Sequence, residues 1–498
     1  MDIGSLIRNA AKRFGDAPAL ETEERTVSFR EFDAATDRLG NELLNSGLVP
    51  GDRVGVMLPN GIECLAVYYA LAKAGLVRVA LNEKDTEAQN IFKIDDASCR
   101  AVIHSGGAPT SSPTLEVVTS LDWIEATAWT GSSQPCYHLR DPEAPYRLGY
   151  TGGTTGDPKA VTLTMRGETA EISAFLIDLM PDIGPGDTML HAAPIIHASG
   201  AFFLPAFAKG ARNRIMTKFD ASRWLEELER SRASYSFLVP TMIALVLDTP
   251  GVQEVDASSL RRLCWGASPI PPTVAERAQA VFGQVLAQTY GQAEAPMAIT
   301  VLQPDEHDRV GSAGRGYTLM EVAVMDEDGR FLPEGEPGEV VTRGQVLMKG
   351  YWNKPEQTAA ALDANGWYST GDVGFLDADG YLYLVDRSKD MIVSGGENVY
   401  CTEVEDAIYS HPGVLEATVF GIPDEQWGKA VHAVVVPRDG IHLDEAAIID
   451  HCRGKIGGYK VPKSVSFQAD ALPKSGPGKV LKRELRAPFW DGKDRQIN

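Results

Sequence analysis

The ten residues Tyr150-Thr151-Gly152-Gly153-Thr154-Thr155-Gly156-Asp157-Pro158-Lys159 bring three kinds of anion ligand into one run. Gly152, Gly153 and Gly156 let the backbone turn tightly and its N–H groups approach a ligand. The threonines add hydroxyl donors and Lys159 adds a positive charge. Amides, hydroxyls and a cation at this density make a cradle for a polyphosphate. The run is not a Walker A loop, because no Gly-Lys-Ser/Thr follows four residues after a glycine.

Four other segments carry side chains suited to a nucleotide and an acid. Gly266-Ala267-Ser268-Pro269 follows a strand signal, the place where open α/β sheets bind ligands. Gln288-Thr289-Tyr290-Gly291-Gln292-Ala293-Glu294 joins an aromatic ring, a glycine and a carboxylate, fitting ring stacking beside a metal or a hydroxyl. Tyr368-Ser369-Thr370-Gly371-Asp372 sets a carboxylate after a turn, suited to a sugar diol. Pro473-Lys474-Ser475-Gly476-Pro477-Gly478-Lys479 presents a lysine on a Gly/Pro loop. Each alone reads equally as a turn, a packed tyrosine or a solvated lysine.

The elements that must position these groups alternate in type. Ser28-Phe29-Arg30-Glu31 is a capping box opening a helix with Phe32, Ala35, Leu39 and Leu43 inward, stopped at Gly47. A strand (53–58), an apolar helix (62–74) and another strand (76–81) follow, and the same rhythm returns at 234–240, 241–247 and 263–266. This βαβ order predicts an α/β fold whose mostly parallel sheet is covered by helices. From about Gly311 the texture changes to short strands with Asp328-Gly329, Pro337-Gly338 and Asp379-Gly380 turns, predicting an antiparallel, barrel-like part. Past Asp386-Arg387-Ser388-Lys389-Asp390, two strand signals (415–420 and 430–436) and a helix (445–456) predict a small α+β domain. The expected division is a large domain over 1–386, a hinge at 387–390 and a small domain over 391–498.

The chain has 498 residues and a net charge of −21, which argues against a duplex-coating nucleic-acid binder but not against a nucleotide site. Its six cysteines show no CxxC pair and read as thiols of a reducing compartment. The amino terminus is an amphipathic helix pattern (Ile3, Leu6, Ile7, Ala10, Phe14), not a signal peptide. No apolar stretch reaches the roughly 18–20 residues of a membrane span, and a cytoplasmic protein is expected. Oligomeric state is not legible.

Taken together and in this order, the motifs resemble the adenylate-forming superfamily of acyl-CoA synthetases, peptide-synthetase adenylation domains and beetle-type luciferases, from about Phe29 to Arg486. The resemblance implies a large N-terminal domain, a small mobile C-terminal domain, ATP and Mg²⁺ as cofactors, and conversion of an acid to an acyl-AMP with release of pyrophosphate. It also implies roles. Thr151 to Lys159 look like the loop holding the ATP phosphates. Tyr290 and Gly291, with Gly266, Ala267 and Ser268, look like the adenine site. Asp372 and Arg387 look like the ribose partners, and Glu294 like the Mg²⁺-linked glutamate. Lys479 matches the lysine bridging the substrate carboxylate and the α-phosphate, and Lys389 the hinge residue. His197, in Pro194-Ile195-Ile196-His197, resembles the residue gating the carboxylate, with a helix-start histidine as the structural reading. Gly395 and Gly396 fall in the stretch that lines the acceptor tunnel.

The acid pocket is expected from Ala198, Ser199, Gly200, Phe202, Phe237, Val239, Gln292 and Met297, beside Gly266 and Ala267. These are small or apolar, and no acidic partner for an α-amino group is among them. A hydrophobic fatty or aryl acid is therefore expected, with CoA as acceptor. Two positions depart from the family pattern: Ala293 replaces the usual Thr, and Cys401 the usual Pro. The rival reading is an amide-bond synthetase, in which a free amine takes the acyl group without CoA. A luciferase-like oxidase, a carrier-loading domain and a non-catalytic nucleotide sensor are the remaining alternatives.

Overall fold

Ser28 and Glu31 close the capping box that their spacing predicts. The Ser28 N–H donates to Glu31 Oε2 at 2.8 Å, the Glu31 N–H donates back to Ser28 Oγ at 3.2 Å, and the helix Phe29–Asn45 follows. A computed structural model describes residues 2–107, 114–138, 141–151, 158–387, 391–394, 397–424, 427–438, 440–474 and 480–490. Among them, no helix is long and apolar enough to cross a membrane.

The βαβ rhythm becomes two sheets. The smaller has seven strands in the order Gly350–Tyr351, Lys159–Thr164, Pro145–Thr151, Val77–Ala80, Arg53–Met57, Ala101–His104 and Val117–Ser120. The last five run parallel, and the first two are added antiparallel. The larger sheet has thirteen strands. Its parallel centre runs Leu286–Tyr290, Arg262–Trp265, Tyr235–Leu238, Thr188–His191, Arg212–Ile215 and Pro18–Glu21. The antiparallel strands expected after Gly311 continue this same ladder. Thr300–Leu302 and Ser312–Gly316 lead from Leu286–Tyr290 into Leu382–Arg387, Tyr368–Leu376, Gly338–Gly344 and Met320–Met325.

Element boundaries differ slightly from the sequence expectation, for local reasons. The strand expected over 234–240 covers Tyr235–Leu238, and the following helix starts at Pro240. Proline lacks the N–H that a helix start leaves unused, so it belongs to the helix and not the strand. The helix expected over 445–456 ends at Arg453, where Gly454 caps it. The two C-terminal strands are longer than expected, Val414–Asp424 and Gly428–Pro437, and Ser464–Phe467 joins them in parallel. With helices Cys401–Tyr409 and Glu445–Arg453 they bury a core of their own, including Ile392, Val404, Val419, Val435 and Ile448.

One buried ion cluster fastens the amino-terminal helices over the smaller sheet. Lys73 is fully buried on helix Ile62–Ala74 and donates to Asp33 at 2.5 Å and Asp37 at 2.8 Å, both on helix Phe29–Asn45. Asp37 also accepts from Arg8 at 3.0 Å, on helix Ile3–Phe14, and from the Cys136 N–H at 3.1 Å. Removing one partner of such a cluster leaves an uncompensated buried charge. Asp37→Ala should therefore destabilise the protein by about 3–5 kcal/mol, read as a lower urea midpoint. A loss under about 1 kcal/mol would mean that water reaches Lys73 and the cluster carries little.

Candidate active site

Among the described residues, Tyr290, Gln292 and Glu294 lie at and just beyond the carboxyl end of the parallel strand Leu286–Tyr290, and Asp372 and Tyr351 meet them from other strands. Asp372, on Tyr368–Leu376, is 6% exposed and draws in two donors. The Tyr290 hydroxyl and Gln292 Nε2 each donate to its Oδ2 at 2.6 Å. Gln292 Nε2 also reaches the Thr370 carbonyl at 2.9 Å, and its Oε1 accepts the Tyr368 hydroxyl at 2.8 Å. The backbone is held as well, since the Asp372 N–H donates to Thr370 Oγ1 at 3.1 Å. Across the ladder Asp372 is paired with Arg387, so both residues expected at the ribose occupy one register position.

The smaller sheet contributes the described residues expected at the phosphates. Thr151 and Lys159 are paired at the mouth of the hairpin whose intervening glycines carry the sequence signal. Tyr351 lies on the strand added to Lys159–Thr164, and its ring centre is 5.0 Å from Lys159 Nζ. Its hydroxyl donates to Glu294 Oε1 at 2.8 Å, and the Met348 N–H donates to the Glu294 carbonyl at 2.8 Å. Glu294, 9% exposed, is thereby held at the seam between the sheets. Burial first, and the Glu294 charge next, push the Tyr351 and Tyr368 phenols up, so both stay protonated donors at neutral pH.

On the acid side the backbone is shaped by close approaches. A Cβ on Gly266 would lie 2.4 Å from the Thr289 carbonyl oxygen, and one on Gly200 2.2 Å from that of Ile195. Neither position admits a side chain. Ala267 (φ 71°) and Met297 (φ 50°) hold left-handed backbone, a strain that collects at ligand sites. His197 precedes the short turn Ala198–Phe202, and its carbonyl accepts the Gly200 N–H at 3.1 Å. Asn60, which follows a strand of the smaller sheet, clamps the segment before it. It accepts from the Ile195 N–H at 2.8 Å and donates to the Ala193 carbonyl at 3.1 Å.

Burial pushes the His197 imidazole down to about 4, so the ring is neutral at pH 7. His191, fully buried at the end of strand Thr188–His191, is likewise pushed down to about 4. Its Nε2 lies 3.0 Å from Asn213 Oδ1 and its Nδ1 3.0 Å from Ser199 Oγ. The carbonyl oxygen of Asn213 can only accept, which puts the His191 proton on Nε2 and makes Ser199 the donor to Nδ1.

The structure thus brings together Thr151, Lys159, Tyr290, Gln292, Glu294, Asp372 and the backbone of Arg387. Gly266, Ala267, Ser268 and Gly291 lie on the adjoining strand ends, with Ala293 exposed between Gln292 and Glu294. Two residues expected in the acid pocket make hydrogen bonds within the protein: Ser199 donates to His191, and Gln292 to Asp372. Phe202 and Phe237 are at most 1% exposed, while Ala198, Gly200, Val239 and Met297 are half-buried. Cys401 is buried at the first position of helix Cys401–Tyr409, where a proline would equally fit. Gly152, Gly153, Thr154, Thr155, Gly156, Lys389, Gly395, Gly396 and Lys479 lie outside the described residues. Tyr351 and Asn60 were missed from the sequence. The Gly350-Tyr351 pair gives no motif of its own, and Asn60 acts through a sheet other than its own.

Comparison with known proteins agrees with this arrangement. Residues 7–352 match the family model described as AMP-binding enzyme, and residues 403–479 that described as AMP-binding enzyme C-terminal domain. A feruloyl-CoA synthase of Amycolatopsis sp is 35% identical over 499 residues, covering 98% of this chain and 99% of that protein. The ATP-bound structure of MatB from Rhodopseudomonas palustris superposes with a TM-score of 0.89 at 28% identity, covering 99% of each chain. The amide bond synthetase McbA from Marinactinospora thermotolerans superposes with a TM-score of 0.87 at 30% identity, covering 98% of this chain and 99% of that one.

The geometry sets two expectations. Asp372→Ala removes the acceptor shared by the Tyr290 hydroxyl and the Gln292 amide. It should cost about 1–3 kcal/mol of stability by thermal unfolding. The two histidines set a pH dependence. Their folded values lie below the unfolded value of about 6.5, so the unfolded chain binds more protons between about pH 4 and 6.5. Stability is therefore full above about 6.5 and falls as pH drops toward 4, by up to about 1.4 kcal/mol per pH unit for each histidine. His191→Gln should flatten that slope by close to one proton; an unchanged slope in urea titrations would show that His191 does not titrate on unfolding.

Proposed function

The chain belongs to the AMP-binding enzyme family and is an ATP-dependent, AMP-forming ligase, and from that premise we propose how its own residues carry the reaction. The proposed reaction joins a hydrophobic carboxylic acid to the AMP part of ATP, releasing pyrophosphate, and then transfers the acyl group to the thiol of CoA, releasing AMP and the thiol proton. The observation that carries it is the joint placement of Asp372, Tyr290 and Gln292 on the larger sheet with Glu294, Tyr351 and Lys159 at its seam with the smaller.

A carboxylate is already a competent nucleophile, so the first step needs no general base. One of its oxygens attacks the α-phosphorus while the bond to the bridging oxygen of pyrophosphate breaks. The obstacle is the approach of two anions, which calls for positioning and charge neutralisation. Tyr290 presents a ring face to adenine. Asp372, oriented by Tyr290 and Gln292, would accept the ribose diol, in exchange for these donors or beside them. Lys159, with the backbone that follows Thr151, would face the β- and γ-phosphates. Glu294 is a hard oxygen donor fixed by Tyr351, and it fits a Mg²⁺ shared with the phosphates. When bound, that ion supplies positive charge against the triphosphate. His197 is neutral, so it orients the acid by shape and hydrogen bonding and does not attract it by charge.

The second step exchanges pyrophosphate for CoA in the same space. In this reading residues 1–386 hold the nucleotide and acid, and residues 391–498 turn about the hinge at 387–390. Lys479 serves the first step and the Gly395-Gly396 stretch the second, with Lys389 as pivot. The relationship to a feruloyl-CoA synthase supports an acid of aryl type and CoA as acceptor. A second reading, transfer to an amine, is favoured by the likeness to an amide bond synthetase and by Cys401 at the helix start beside that stretch.

Pyrophosphate release on mixing with ATP, Mg²⁺ and a panel of acids tests the adenylation, and mass spectrometry with CoA or amines present tests the acceptor. Lys479→Ala should lower the adenylation rate by about 10²–10³-fold without altering the melting temperature. Near-normal release by that variant would remove Lys479 from the mechanism. An amide formed faster than the thioester would make the amine the acceptor.

A further inference from the structure

Gln292 is a single amide held by three groups of one strand. From the loop just past Leu286–Tyr290 it reaches Tyr368–Leu376, where Tyr368, Thr370 and Asp372 are buried members of an alternating run. Its Nε2 donates to Asp372 Oδ2 at 2.6 Å and to the Thr370 carbonyl at 2.9 Å. Its Oε1 accepts the Tyr368 hydroxyl at 2.8 Å. Thr370 is itself fixed, since its hydroxyl donates to the Val340 carbonyl at 2.7 Å. Tyr368 is 3% exposed and Asp372 6%, so both ends of this chain of bonds lie out of bulk water.

These bonds leave the amide one orientation. Turned over, its oxygen would face the Asp372 carboxylate and the Thr370 carbonyl, both acceptors. The Tyr368 hydroxyl selects the same orientation from the other side, by donating to the amide oxygen. The donors and one acceptor position of Gln292 are thus spent on this strand, and the side chain is committed to Asp372. Tyr290 donates to the same carboxylate oxygen at 2.6 Å, which ties the ring expected against adenine to the carboxylate expected at the ribose.

Resting on the ligase reading above, we propose that Tyr368 and Gln292 are positioning residues for the ribose: Tyr368 sets the Gln292 amide, and the amide sets the angle at which Asp372 meets the diol. The pair determines how strongly the enzyme prefers ATP to its deoxy forms, and neither residue takes part in bond making. A carboxylate free to turn would still accept a hydroxyl. It would lose the fixed geometry by which a buried polar group rejects an analogue that leaves it unpaired.

The test is nucleotide binding by the full-length enzyme with Mg²⁺ and no acid, read by isothermal titration calorimetry with ATP, 2′-deoxy-ATP and 3′-deoxy-ATP. The wild type should bind ATP about 10–100-fold more tightly than the weaker deoxy form, the worth of a hydrogen bond to a carboxylate. Gln292→Met keeps the side-chain length without the hydrogen bonds, and should bring that ratio to about 3-fold or less. Tyr368→Phe should lower the ratio by about 3-fold, and should add nothing in combination with Gln292→Met, because it acts through the amide. Should Gln292→Met fail to fold, Gln292→Glu keeps the size, sets an oxygen against Asp372, and should lose the preference as fully. A merely structural role would weaken ATP and both analogues equally and keep the ratio. That result would overturn the proposal and leave the ligase reading intact, as would a double variant whose loss is the sum of the two, or a wild type indifferent to both hydroxyls. A wild type that binds none of the three nucleotides would overturn the ligase reading and the proposal together.

Discussion

The carboxylate of Asp372 is the point at which the antiparallel strands are tied to the ends of the parallel ones. It accepts the hydroxyl of Tyr290, the last residue of a parallel-sheet strand, and the amide of Gln292 just beyond it. Both bonds are short, 2.6 Å, and Asp372 is almost fully buried. A buried carboxylate needs such donors, and the donors are thereby fixed in orientation. The Tyr290 ring, the Gln292 amide and the Asp372 carboxylate become one rigid unit, which is what a nucleoside site requires of its walls.

The second constraint is the seam between the sheets. Tyr351 belongs by hydrogen bonding to the smaller sheet and by its hydroxyl to Glu294 of the larger side. Asn60 does the same in the other direction, reaching the backbone on either side of Pro194. These bonds cross between sheets whose residues also share hydrophobic cores, since Leu20 and Ile215 of the larger sheet pack with Val54 and Ile103 of the smaller, so polar bonds and packing fix the alignment together. Lys159 of the smaller sheet and Glu294 of the larger side are therefore linked through one residue, Tyr351, although they come from different sheets.

Electrostatics sharpen the picture. The chain carries a net charge of −21, yet it handles a polyanion. Under the proposed reading local charge explains this, because Lys159 acts at short range while distant surface carboxylates are screened by salt. The fully buried His191 and the half-buried His197 are kept neutral by desolvation.

Much of this was legible in the linear order of residues. The capping box at Ser28, the βαβ rhythm, the Gly-rich run ending at Lys159, and the identities of Tyr290, Glu294 and Asp372 all follow from short-range rules, because turn, cap and phosphate-loop chemistry is encoded within a few neighbouring residues. Tertiary structure decided what those residues touch. That Gln292 would serve Asp372 and Ser199 would serve His191 could not be read from spacing, since the partners are 80 and 8 residues apart and meet only when separate strands pack. Tyr351 and Asn60 were invisible for the same reason, as their function lies in bonds to another sheet. The packed rings of Phe175, Phe202, Phe237 and Tyr317 are the clearest case: they come from four separate segments and meet in the core only because the fold brings those segments side by side. Local chemistry is written in the sequence, and the shape of the space left for a substrate arises only when the distant segments close around it.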